Sequence, residues 1–123
     1  MKSFVLNLGV RNVLVQFSDE VLDHKNDEQW GIAQHADSII RVDNKLEAEL
    51  GTKVLWHEVM NFMDEDLLGN ELGNKKPEDP DDKHALLDQI SGAVHMALRL
   101  NWKRWRTIYD ALDKHSKKQA RKA

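Results

Sequence analysis

The sequence predicts an α+β domain: a small three-stranded antiparallel sheet packed on one long helix and on a second long C-terminal helix. Before residue 43, β-branched and aliphatic residues come in short runs separated by polar turns, the pattern of half-buried strands. After it, apolar residues recur at steps of three and four over stretches much longer than a strand, the pattern of helices with one covered face. A chain of 123 residues suits one modest core, and 41% hydrophobic against 32% charged residues excludes a disordered chain. Cysteine is missing altogether, so disulfides, thiolate nucleophiles and Cys-rich zinc clusters are excluded.

The segment 1–10 carries one lysine and a short apolar run broken by Asn7. It lacks the length and cleavage signal of a secretory leader. "NVLVQF", residues 12–17, alternates apolar and polar side chains and reads as the first strand. The acidic stretch 19–28 reads as a loop or a short helical turn. "QWGIAQ" (29–34) and "SIIRV" (38–42) read as two further strands around a His35-Ala36-Asp37 turn. Asp43 or Asn44 can cap the helix that follows, with Glu47 placed for a capping box. Leu46, Leu50, Val54, His57 and Asn61 recur at helical spacing, so that face is expected to meet the sheet. This helix should end near Leu68, before Gly69. Glycines, prolines and carboxylates make 69–82 a solvated loop. From Asp82 a second helix runs on, and nothing in the sequence breaks it before the tail. No segment approaches the ~20 apolar residues of a membrane span, so the expectation is a cytoplasmic protein with no membrane partner.

Charge is unevenly spread. From Trp102 onward eight Lys and Arg face two Asp, a net +6, which leaves −9 of the total −3 on residues 1–101. The tail is either a solvated helix end, favoured by the negative C-terminal dipole, or a binding segment for phosphate or an acidic partner. Leu98, Trp102, Trp105, Tyr109 and Leu112 alternate steps of four and three. Two heptads are short for a coiled coil, so the stripe is expected to fold against its own domain. Trp102, Lys103, Arg104, Trp105 and Arg106 also interleave aromatic and basic groups as single-stranded nucleic-acid binders do. The acidic body opposes a broad DNA footprint. Residues 102–123 are therefore expected to form an extension to a domain spanning 1–101.

"WHEVMNFM", residues 56–63, raises the question of chemistry. In a His-Glu-x-x-His helix the two histidines share one face and one zinc ion, while the glutamate deprotonates the metal-bound water. Here the second histidine is Asn61. Without it, the alternative is an ordinary helix on which His57 is a core or surface polar group.

The stretches "WGIAQHADSIIRVDNKL", "TKVLWHEVMNFMDEDL" and "HALLDQISGAVHMALRLN", taken in that order, resemble the short phage-type zincin-like metallopeptidases of the ImmA/IrrE kind. The resemblance covers about three quarters of the chain and stops near Asn101. It implies a zinc-dependent peptidase acting on a peptide or protein, in the host cytoplasm if phage-encoded. It makes His57 the first zinc ligand and Glu58 the general base. Asn61 then occupies the second-ligand position, where an amide oxygen is a poor donor for zinc beside imidazole. The third ligand of the family, usually a glutamate, falls on His84, with Asp88 one turn on. A compensated site of His57, His84 and Asp88 with Glu58 beside the water would restore three protein ligands. His84 and Asp88 are equally read as solvated groups of an acidic helix start. His95 lies roughly 16 Å along the axis from His84, too far for the same ion. The alternative function is a non-catalytic phage-type binding protein of the same fold, acting on a protein or nucleic acid.

Overall fold

The computed structural model describes residues 2–69 and 80–122. It is of the α+β class, but its sheet has four strands and is mixed. The strands are β1 (Phe4–Asn7), β2 (Asn12–Ser18), β3 (Gly31–Gln34) and β4 (Ile39–Asp43), in the spatial order β1-β2-β4-β3. This corrects the three-stranded antiparallel expectation twice. Phe4-Val5-Leu6-Asn7 alternates buried and exposed side chains and pairs antiparallel with β2, so a four-residue run too short to stand out is a strand. And β2 pairs with β4 in parallel, because the chain crosses from β2 through residues 19–30 to the far edge before returning. The tight turn at His35–Asp37, ended by Ser38 at a left-handed φ of 54°, folds β4 back on β3. That return puts β4, which carries Ile39, Ile40 and Val42, at a central position with partners on both sides.

Three helices cover one face: α1 (Ala48–Leu67), α2 (Pro80–Leu100) and α3 (Trp102–Lys122). The N-cap of α1 is Glu47, whose carboxylate accepts from the backbone N–H groups of Glu49 and Leu50. Asp43 and Asn44, the expected caps, are used earlier. Asp43 accepts from the Lys45 N–H and Asn44 donates to Asp19. The covered face of α1 is also not the expected one. Leu55, Glu58, Val59, Phe62 and Met63 are buried while His57 and Asn61 are exposed. The i, i+3, i+4, i+7 set of Leu55, Glu58, Val59 and Phe62 wins, because only it turns a continuous apolar stripe to the sheet.

Phe4, Leu6, Val13, Val15, Ile40 and Val42 from the sheet meet that stripe, joined by Ala93 and Ala97 from α2 and Trp105 and Ile108 from α3. Trp105 is 1% exposed and stacks on Trp56 at 4.2 Å and 10°, so α3 is built into the same core as residues 2–69. The long second helix is broken at Asn101, which separates α2 from α3. The buried stripe of α3 is Trp105, Ile108 and Leu112, whereas Trp102 and Tyr109 of the expected stripe are exposed. No helix among the described residues is long and apolar enough to cross a membrane.

Candidate functional site

At 100° per residue, Leu50, Val54, His57, Glu58, Asn61 and Glu65 occupy one flank of α1, between its buried stripe and solvent. That flank runs beside β3, an edge strand. A glycine permits the close approach. A Cβ at Gly31 would lie 2.5 Å from Val54 Cγ1 and 3.3 Å from Glu58 Cγ. The space between the elements is a cleft of about 550 Å³, walled by Glu28, Gln29 and Trp30 before β3 and by Lys53, Val54, His57 and Glu58 of α1. Trp30 is 60% exposed at its rim.

Glu58 is the chemically unusual member. Its residue is only 5% exposed, and burial raises its pKa above the ordinary carboxylate value, partly opposed by His57, by a hydrogen bond from Asn61 and by His35. The Asn61 amide lies 3.4 and 3.5 Å from the two Glu58 oxygens, long and weak contacts. His57 Nε2 stands 3.8 Å from Glu58 Oε1, with its side chain 74% exposed. A carboxyl in a cleft whose pKa is raised by burial is a fair acid, base or hydrogen-bond donor.

Below this, His35 Nε2 is 2.8 Å from Glu65 Oε2 and 3.3 Å from the Asn61 carbonyl, and its ring lies 4.4 Å from that of Phe62. Arg11 forms a two-pronged pair with Asp66, through Nε to Oδ2 at 2.8 Å and Nη2 to Oδ1 at 2.6 Å. Arg11 also donates to the His35 carbonyl at 2.6 Å. Together these contacts fix the turn after β3 to the last turns of α1. Neither Trp30, His35, Glu65 nor the Arg11–Asp66 pair was indicated by sequence spacing, since each contact joins segments distant along the chain.

The metal site implied by the resemblance is not assembled. Among the described residues, no three His, Asp or Glu side chains are placed to hold one ion. His84 and Asp88 are 80% and 77% exposed and pair with each other at 4.0 Å. Asn61 offers its NH₂ to Glu58 and so has its donor side, not an oxygen, turned into the His57–Glu58 group. Among the described residues the predicted ligands are therefore not brought together around one ion. His57, Glu58 and Asn61 do lie together, with His57 and Glu58 in a wall of the cleft.

The tail residues divide. Trp102, Lys103, Arg104 and Arg106 are exposed, but Trp105 is buried and donates from Nε1 to the Ala97 carbonyl at 3.1 Å. Trp105 cannot stack on a partner, which corrects its place in the expected binding set. No family model matches this chain, and no curated protein or solved structure matches it.

Proposed function

We propose that this chain is a binding domain for an extended peptide segment, related to the zincin-like peptidases but departed from their zinc chemistry. One observation carries the reading: the cleft is bordered by β3, a strand at the edge of the sheet. The Trp30 carbonyl accepts from the Asp43 N–H. The alternation of an antiparallel ladder then turns the N–H and C=O groups of Gly31 and Ala33 away from β4. An added peptide strand can pair with them. Trp30, Leu50 and Val54 offer its side chains apolar contact, while Glu58, Lys53 and His57 offer polar contact.

Selection of peptides from a random library on the full chain, followed by calorimetry with and without chelator, tests this. Ala33→Pro removes an outward N–H and spares the ladder to β4, a substitution that edge strands tolerate. Binding should be insensitive to chelator and lost in Ala33→Pro with the fold intact. Undiminished binding in that variant would reject the strand-addition mode.

A second reading, a hydrolase with an altered metal site, is favoured by Glu58, whose raised pKa suits general base or acid work at the cleft. Stoichiometric zinc in protein purified without chelator would support it over the first.

A further inference from the structure

The opposite edge of the sheet carries a separate surface. There the end of α2, the start of α3 and β1 enclose a depression of about 640 Å³ that includes Arg99, Lys103 and Arg104 and, among its described lining residues, no carboxylate. Its apolar members are conspicuous: Val5, Leu100 and Trp102 are 54%, 46% and 59% exposed. Trp102 is the largest, and it sits at the corner created by the helix break at Asn101.

We propose that this corner binds single-stranded nucleic acid, with a base stacked on Trp102 and phosphates held by Arg99 and Lys103. The charge is complementary and locally uncancelled, although residues 1–101 as a whole are acidic. An exposed indole offers a flat face that every base can use, and stacking with backbone cations is how single strands are held without sequence reading. A second exposed ring lies on the same flank. Tyr109 is seven residues, two turns, from Trp102, about 10 Å along the axis. Its hydroxyl is held by a 2.8 Å hydrogen bond from Trp56 Nε1, which fixes the ring. Arg106, which pairs with Asp110 at 3.9 Å, lies between the two aromatics. Duplex DNA keeps its bases stacked internally and has no face to give Trp102. A bilayer surface calls for protruding apolar groups, whereas these line a depression. The site is independent of the β3 cleft, so either reading can fail alone.

The experiment is fluorescence anisotropy of a labelled oligothymidylate of ~10 nucleotides, within the span of one small binding domain, titrated with the full chain. Binding at low salt is expected, with log K falling against log salt at a slope of about −1.4 for two neutralised phosphates. Trp102→Ala should weaken binding about tenfold and leave the melting temperature unchanged, because the side chain is exposed. Lys103→Ala should lower the slope by about 0.7. Absence of binding, or binding unaltered in both variants, overturns the proposal. So does equal competition by polyglutamate or by a duplex of the same length, which would reduce the surface to a generic cation patch. Capture of the protein by phosphatidylserine vesicles without oligonucleotide binding overturns it in favour of a membrane surface.

Discussion

Asn101 closes the outer edge of β1 at Asn7. Its side-chain oxygen accepts from the Asn7 N–H at 2.7 Å, and its NH₂ donates to the Asn7 carbonyl at 2.7 Å and to the Ala97 carbonyl at 2.8 Å. One amide thus imitates a neighbouring strand while marking the break between α2 and α3. The α3 backbone starts from the same residue, with the Trp105 N–H donating to the Asn101 carbonyl.

Asn101→Ala should therefore cost about 2 kcal/mol, because it removes three hydrogen bonds, two of them part-buried and the one to the Ala97 carbonyl buried. Urea denaturation read by circular dichroism measures it. A loss below a few tenths would mean that water replaces the amide without penalty.

Trp105→Ala should be far more damaging. It empties the space between Trp56 and α2 and deletes a buried hydrogen bond, a loss of about 3–5 kcal/mol, a large part of ordinary domain stability. Trp102→Ala, three residues away, should change stability by less than about 0.5 kcal/mol as a surface substitution. Thermal melts of the two variants side by side decide it; comparable losses would contradict the packing of α3.

Gly31→Ala should cost about 1–3 kcal/mol, since the new methyl meets Val54 Cγ1 at 2.5 Å and the Arg41 carbonyl at 3.3 Å. The same substitution fills the floor of the cleft. Selected peptides should bind it more weakly than they bind a variant destabilised equally elsewhere.

Glu58 makes a pH-dependent prediction. Burial raises its pKa, so the fold favours the protonated carboxyl. Its contribution is complete below the ordinary carboxylate range and is lost as pH rises through the elevated folded value. Glu58→Gln, neutral throughout, should be more stable than the parent at neutral pH, with the difference closing as pH falls to about 4. Melting temperatures across that range give the answer; a difference independent of pH would place the effect in packing.

Asn61→His should raise zinc affinity above that of the parent, because histidines at i and i+4 share one helix face. His57 and residue 61 are both exposed on that flank. Calorimetry with zinc on both proteins is the measurement, and equal affinities would show that the flank holds the two rings apart.

The α+β class, the helix bearing His57 and Glu58, and the position of β2 were legible because each rests on local periodicity. Alternating burial in Asn12–Ser18 and long-period repetition in α1 are properties of a short window of residues. Which stripe of α1 turns inward was not, since Leu50-Val54-His57 and Leu55-Val59-Phe62 are both helical spacings, and only the shape of the sheet chooses between them. The four-residue β1 and the parallel pairing of β2 with β4 depend on hydrogen bonds supplied by distant strands.

The sequence by itself determined that Asn61 stands where the zinc-type motif needs imidazole, and that the basic groups gather after residue 101. The tertiary structure alone decided that His57 and Asn61 face solvent while Glu58 is buried, and that His84 and Asp88 pair with each other. It also sent Trp105 into the core and left Trp102 outside it. The reason is physical. A motif fixes which residues share a helix face, but burial and a ligand set are fixed by what packs against that face, and here β3 precedes α1 in the chain while α3 follows it.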